Sequence, residues 1–321
     1  MSCMQIVRGF HNLEPDSKGC VVTIGNFDGV HIGHRMLLDR LFEKSKELVL
    51  PSTLVTFEPQ PREFFAGEKV PARLSRFREK ITLLEATTLD RLICLPFNEK
   101  TQNVPAKWFT EDFLSRALNT QYLLVGDDFR FGKNREGDFS LLEKTGTQKG
   151  FEVERAKTLE LAGERVSSSR VRAALNDGNL ELAEALLGRP YFIMGRIVYG
   201  RQLGRELGVP TANIRLQRYR SALEGVYSVS VDGLEEGALP GIANIGIRPT
   251  VGGKEPLLEV HLFDYSREIY GHLISVRFHQ KIRNEKQFSS IDELKNQIEN
   301  CLLYTSPSPR DQRGARMPSS A

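Results

Sequence analysis

The sequence predicts an α/β domain built on a parallel sheet, followed by a small antiparallel β-barrel. Short apolar runs, "CVVTIG", "STLVTFEP", "DRLICLPF" and "TQYLLVGDDF", alternate with stretches of helical spacing such as "HRMLLDRLFEKSKEL". That alternation marks βαβ units around a parallel sheet. Around Gly188 to Pro190 the pattern changes: "NLELAEALL" reads as a helix capped by Asn179 and stopped by Gly188 and Pro190. Beyond it the apolar period is two. "GVYSVSVDG" puts Tyr227, Val229 and Val231 on one face, and "LLEVHLF" puts Leu258, Val260 and Leu262 opposite Glu259 and His261. Such strands build a small barrel.

The 321 residues give room for two ordinary domains, each with its own core. No apolar run approaches the roughly 20 residues that span a bilayer, and "MSCMQIVRGFHNLEP" lacks the parts of a signal peptide. A cytoplasmic chain is expected. Cys3, Cys20, Cys94 and Cys301 are scattered, with neither a CxxC pair nor zinc spacing, so they read as buried or incidental thiols. Net charge is +3, but the stretch after Asn300 holds three Arg and one Asp, which leaves about +1 for the body. Bulk electrostatics thus gives little support for a nucleic-acid partner.

Ligands of parallel sheets bind at the carboxyl ends of strands, and two such ends carry unusual residues. In "GNFDGVHIGH", His31 and His34 stand three apart behind Asp28 and among glycines starting at Gly25, where a strand becomes a helix. A helix start is a ready phosphate site, and two histidines there can bond triphosphate oxygens and follow charge that develops at phosphorus. Spacing alone leaves open a pair of surface or core histidines. The second end, "GDDFRFGKNREGD", has the outline of a P-loop, but five residues separate Gly126 from Gly132 and Asn134 stands where Ser or Thr belongs. Its acids and aromatics suit adenosine or an aromatic ring, or serve as a turn anchored by Phe129 and Phe131.

In "GERVSSSRVRAAL", Ser168 or Ser169 can cap the helix that follows, yet Arg165, Arg170 and Arg172 crowd its positive end. A bound polyanion would relieve that conflict; solvated arginines beside an ordinary cap are the alternative. In the second half "GRQLGRELGVPTANI" is glycine-rich without a Walker lysine, and Gly204 and Gly208 would let backbone approach a phosphate. If "PTAN" is extended, Thr211 and Asn213 offer two neutral oxygens on one side, suited to a Mg²⁺ that keeps several waters; taken alone, the stretch is also a good turn. Glu259, in an otherwise apolar strand, can accept the proton of an attacking hydroxyl or simply face solvent.

Taken together and in this order, "GNFDGVHIGH", "TFEPQPREFF", "VGDDFRFGKNREGD" and "VSSSRVRAAL" resemble the FMN adenylyltransferase module of the bacterial bifunctional riboflavin kinase/FAD synthetase family. "GRELGVPTANI", "GVYSVSVDG", "GIANIGIRPTVGG", "LEVHLFDYSREIYG" and "KIRNEKQF" resemble its riboflavin kinase module, a six-stranded antiparallel barrel. The resemblance implies a nucleotidyltransferase-type Rossmann-like domain over 1–186, a kinase barrel over 187–300, and phosphorylation of riboflavin to FMN followed by adenylyl transfer from ATP to give FAD and pyrophosphate. It implies that His31 and His34 contact the ATP phosphates, with Gly25 and Asp28 in the same nucleotide-binding loop, and that Arg165, Ser168, Ser169 and Arg172 hold the far side. Asp128 and Phe131, with Phe57, Pro59 and Pro61, fall to the nucleotide and flavin region. In the barrel, Thr211 and Asn213 fall to Mg²⁺ and ATP phosphate, Glu259 to the base acting on the riboflavin 5′-hydroxyl, and Arg283 to a flap near the flavin. One departure is Ser169 where the family usually has Thr, which keeps the hydroxyl.

The expected partners are these small molecules and Mg²⁺, with no nucleic acid and no membrane; self-association stays open. "SSIDELKNQIEN" reads as a last short helix with a capping box of Ser290 and Glu293. The resemblance stops after Asn300, where "CLLYTSPSPRDQRGARMPSSA" turns to Ser/Pro/Arg sequence; 301–321 is expected to be disordered and foreign to the family pattern. Two other readings stand beside this one. "HIGH" is also the signature of class I aminoacyl-tRNA synthetases, which would bring a basic tRNA-binding domain and a lysine-rich second signature. A flavin-binding regulator without catalysis would show one of the two motif sets broken, whereas both are present.

Overall fold

The computed structural model describes residues 4–14, 18–66, 70–199, 211–250, 253–263, 265 and 267–284, without the side chains of 211, 247–250 and 253–255. The chain forms two compact units: Met1–Ala174 with Glu181–Arg189, and Leu175–Leu180 with Pro190–Ala321. The expected last helix and the 301–321 tail lie outside the described residues.

The first unit is organised by six parallel strands: β1 (Gln5–Arg8), β2 (Cys20–Ile24), β3 (Ser52–Glu58), β4 (Arg91–Pro96), β5 (Thr120–Val125) and β6 (Glu152–Arg155). Their order is β1-β4-β3-β2-β5-β6. Alternate residues of the central strands feed separate cores. Val22, Ile24, Val55 and Leu123 pack under Phe109, Phe113 and Leu142, while Val21, Leu54, Leu92 and Tyr122 pack under Leu38, Leu41 and Leu84. Burial on both faces is why these strands read as unbroken apolar runs.

The helix Ile32–Leu48 carries the chain from β2 to β3 on one side, and β5 takes the other flank of β2. The sheet order therefore reverses between β2 and β5. That switch point opens a crevice beyond the carboxyl ends of these two strands, the two ends singled out in the sequence. A two-stranded ribbon, β7 (Glu160–Leu161) and β8 (Glu164–Arg165), follows β6. Ala162 and Gly163, with φ of +54° and +78°, form its two-residue turn.

The second unit is a closed antiparallel barrel of β9 (Phe192–Val198), β10 (Thr211–Arg215), β11 (Gly225–Glu235), β12 (Gly237–Thr250), β13 (Gly253–Leu262) and β14 (Leu273–Arg283), in the order β10-β13-β12-β11-β14-β9. Ala212, Val260, Ala243 and Tyr227 meet along one row of its register, and Ile214, Leu258 and Ile245 along another; all are buried. These rows fill the interior, so the residues between them face outward.

Candidate active site

Beyond Ile24 the chain continues the ladder for one bond, Gly25 N–H to the Val55 carbonyl at 3.0 Å, and then turns sharply. Phe27, Gly29 and Val30 have φ of +48°, +82° and +41°. A β-branched residue in the left-handed region costs on the order of 1–3 kcal/mol and persists only when its surroundings hold it. Here Phe27 and Val30 are buried, the Gly29 N–H donates to Ser75 Oγ at 2.9 Å, and the Asn26 and Asp28 carbonyls accept from Thr56 Oγ1 at 3.4 Å and Ser168 Oγ at 3.0 Å.

The turn ends at His31, which is not inside the helix but caps it. Its Nδ1 accepts from the His34 N–H at 3.3 Å, which leaves the ring proton on Nε2. The two imidazoles still share a face, because they stack with centroids 3.6 Å apart, and Phe27 lies against His34 at 4.5 Å. Burial lowers the pKa of His31 to about 4; Asp28 opposes that shift, and Arg189, Arg165 and Arg172 add to it. Burial, then His31, Lys80 and Arg189, hold His34 well below its usual value. Both rings are neutral at pH 7 and act as directed hydrogen-bonding groups rather than cations.

The opposite wall is the start of the helix Ser168–Asn176. Its cap is Ser167, whose Oγ accepts the Arg170 N–H at 3.2 Å, and not Ser168 or Ser169 as the sequence suggests. The displaced cap frees Ser168 to bond the Asp28 carbonyl and leaves Ser169 on the cavity wall. The arginines do not wait for an anion either. Arg165 pairs with Asp127 at 3.0 Å and Asp128 at 3.4 Å, Arg170 turns away to Glu164 at 2.9 Å, and Arg172 bonds Asp28. Carboxylates of the protein already relieve the crowding at this helix end. Asp28, 3 % exposed, also accepts from the N–H groups of Leu74 and Ser75 at 3.1 and 3.0 Å, so it is a buried latch between three segments.

Between these walls lies a cavity of about 480 Å³, a size typical of small-molecule sites. Of the residues singled out in the sequence, Gly25, Asp28, His31, His34, Asp128, Arg165, Ser168, Ser169 and Arg172 line it. Phe131 does not: it is 6 % exposed and packs on Phe109 in the core, anchored by a bridge to Gly137, while Phe129 faces the cavity. Nor do Phe57, Pro59 and Pro61; their neighbours Gln60 and Arg62 do, together with Asn26, Phe27, Asp127, Lys157 and Thr158. Phe57 instead joins Phe97, Phe64 and Phe65 in a cluster of edge-on rings 5.4–5.9 Å apart, and Phe65 is 67 % exposed. Among the described residues, no group of three or more His, Cys, Asp or Glu comes together to hold a metal.

In the barrel, the register sets Asn213 directly opposite Glu259 and Thr211 opposite His261; Glu259 also faces Asn244 across β12. Asn213 and Glu259 alternate with the buried Ala212, Ile214, Leu258 and Val260, so they lie on the outer face. Directly paired residues have Cβ atoms roughly 4.5–5.5 Å apart, close enough for the side chains of Asn213 and Glu259 to meet one ligand. Asn213 is 7 % exposed and Glu259 half-buried. Asn244 was not singled out in the sequence, since only the pairing order brings "GIANIG" beside Glu259. Arg283 stands opposite Val226, which pairs with Asn244 on its other side. Gly204 and Gly208 lie outside the described residues.

Two family models match this chain, FAD synthetase over residues 13–170 and riboflavin kinase over residues 187–303. Proteins named bifunctional riboflavin kinase/FMN adenylyltransferase from Escherichia coli (strain K12) and Pseudomonas fluorescens are each 51% identical over 296 residues, covering 92% of this chain and 95% and 94% of theirs. The Haemophilus influenzae protein of that name is 48% identical over 297 residues, covering 92% of this chain and 96% of its own. The chain belongs to the bifunctional riboflavin kinase/FMN adenylyltransferase family. A crystal structure named Macrolide-efflux Protein, from Streptococcus pneumoniae, superposes with a TM-score of 0.80 at 26% identity, covering 94% of this chain and 99% of that one. Among the described residues, no helix is long and apolar enough to cross a membrane. The FAD synthetase match takes in the histidine loop and Arg165 to Arg170, and the riboflavin kinase match takes in the whole barrel.

Proposed function

We propose that the barrel phosphorylates riboflavin to FMN with ATP, and that the cavity of the first unit then joins AMP from a second ATP to FMN. In the second step an oxygen of the FMN phosphate attacks the α-phosphorus of ATP, and the bond to the β-phosphate breaks to release pyrophosphate. The reacting phosphate is itself the nucleophile, so the protein has to position and neutralise rather than supply a base. The observation that carries this reading is the convergence, in one cavity at the sheet's switch point, of two helix N-termini, two neutral histidines and two arginines.

His31 and His34 bond the triphosphate as neutral donors, with Gly25 and the amides of the helix start beside them. Arg165, Ser168, Ser169 and Arg172 take the far side, where incoming phosphate competes with Asp127, Asp128 and Asp28 for the guanidinium groups. Asp28 holds the loop, Asp128 and Phe129 meet the nucleotide, and Phe131 supports them from the core. The aromatic cluster of Phe57, with Pro59 and Pro61 beside it, takes the flavin side.

In the barrel, Glu259 accepts the proton as the riboflavin 5′-hydroxyl attacks the γ-phosphorus and ADP leaves. Thr211 and Asn213 are neutral donors and fit Mg²⁺ that arrives with the nucleotide. When bound, the ion neutralises phosphate charge. Gly204, Gly208 and Arg283 complete the nucleotide and flavin contacts. The chain works in the cytoplasm on small molecules alone, as a 1–186 adenylyltransferase domain and a 187–300 kinase domain. The test uses labelled ATP: γ-labelled ATP should label FMN, and α-labelled ATP should label FAD with release of pyrophosphate. FAD formed without α-label would rule the adenylyl step out.

A further inference from the structure

The turn that precedes His31 is held from behind by a residue far along the chain. The helix Leu180–Leu187 ends at Gly188, φ +68°, whose N–H returns to the Glu184 carbonyl at 2.7 Å. A Cβ at Gly188 would stand 2.8 Å from Ile32 Cγ2, so this helix end lies flat against the first residue of the helix that His31 caps. From there Arg189 turns its guanidinium onto the loop. Nη2 donates to the Gly29 carbonyl at 2.5 Å, and Nη1 donates to the Val30 carbonyl at 2.9 Å and the Leu187 carbonyl at 3.1 Å.

Gly29 and Val30 are the two positive-φ residues immediately before His31. Such a turn survives only when its surroundings over-determine it, and the guanidinium does this with a rigid fork that spans both carbonyls, which a lysine ammonium cannot match. By sequence, however, Arg189 falls within 187–303, matched by the riboflavin kinase family, and outside 13–170, matched by FAD synthetase. By contacts it is the last residue of the first unit.

We propose that Arg189 is a positioning residue of the adenylyl-transfer site: it clamps the Gly29–Val30 turn and so fixes where His31 and the amides of the helix start stand. The proposal rests on the adenylyl-transfer reading of that cavity. Its consequence is that a residue assigned by sequence to the kinase segment serves the other reaction.

The test uses the full chain with Arg189→Ala and Arg189→Lys, assayed separately for FMN to FAD and for riboflavin to FMN. Misplacement of a site by about 1 Å can cost on the order of 100-fold, so kcat for FAD formation should fall about 10- to 100-fold in the alanine variant. The lysine variant should recover little of it. Riboflavin phosphorylation should stay within about two-fold, which reports that the barrel has folded, and an unchanged circular dichroism spectrum and urea midpoint should report the same for the first unit. Added methylguanidinium should restore part of the FAD rate of Arg189→Ala and leave the unsubstituted protein unchanged, a response a merely structural defect would not give. Wild-type FAD rates in both variants, loss of both activities together, or no rescue by methylguanidinium would each overturn the proposal. Failure of the unsubstituted chain to convert FMN to FAD would instead sink the adenylyl-transfer reading itself.

Discussion

The imidazoles of His31 and His34 lie face to face, 3.6 Å between centroids and 14° from parallel. Two rings this close disfavour charge on each other, and burial disfavours it further, so the pair stays neutral at pH 7. On the adenylyl-transfer reading proposed above, attraction for an anion then falls to the two helix ends and to Arg165 and Arg172, while the imidazoles supply direction. A charged pair would have bound phosphate more strongly in the ground state. On the same reading, a neutral pair leaves its best bonding for the charge that develops as the α-phosphorus reacts.

Replacing either His31 or His34 with Ala should lower FMN-to-FAD conversion by about 10²–10³, the usual effect of removing one such donor. Riboflavin phosphorylation by the same preparations should be unchanged. Steady-state assay of the two half-reactions separates the outcomes. Parallel loss of both activities from folded protein would contradict the assignment.

The same pair makes the first unit sensitive to acid. His31 has its folded pKa depressed from 6.5 to about 4, so below pH 6.5 the unfolded chain binds a proton that the folded chain refuses. Stability should be insensitive to this group above pH 6.5 and should fall between pH 6.5 and 4, by up to about 3 kcal/mol from His31. His34 acts in the same direction. Urea unfolding at several pH values should show a flatter profile for His31→Asn than for the unsubstituted chain; an equal slope would contradict the shift.

Asp28 and Arg172 form a largely buried pair, 3% and 16% exposed at their side chains. Removing one partner from such a pair costs about 3–5 kcal/mol because the other is left buried and unpaired. Asp28→Ala should therefore destabilise strongly and also free the Leu74 and Ser75 amides. Arg172→Met in the same chain should return part of the loss, which a double-mutant cycle by denaturant unfolding would measure. Strict additivity would contradict the coupling.

The strands were legible for two physical reasons. Parallel strands buried on both faces read as apolar runs, and barrel strands filled on one side alternate. That the histidine loop and Arg165 border one crevice was legible because they sit at strand and helix ends, where crevices of parallel sheets open. Three details were not. Three serines in a row offer three caps, and only the packed helix selects Ser167. Phe129 and Phe131 are equivalent by alternation until the bridge to Gly137 sends Phe131 into the core. The Asp28–Arg172 pair spans 144 residues, so composition suggests unpaired arginines where the fold supplies a carboxylate.

Glu259→Gln keeps the size of the side chain but removes the carboxylate opposite Asn213, the base proposed above. Riboflavin phosphorylation should fall by about 10²–10⁴, the range for loss of a general base. Conversion of supplied FMN to FAD should continue at the unsubstituted rate. A phosphorylation rate within a few-fold of the original would exclude Glu259 as the base.

The most direct measurement follows riboflavin, FMN and FAD by chromatography after the purified chain receives riboflavin and Mg·ATP. The unsubstituted chain should build FMN and then FAD, Glu259→Gln should leave riboflavin unchanged but still convert added FMN, and the His31→Ala chain should stop at FMN. If FAD appeared from the His31→Ala chain as fast as from the unsubstituted one, or if neither flavin was consumed by the unsubstituted chain, the two-site account would be contradicted.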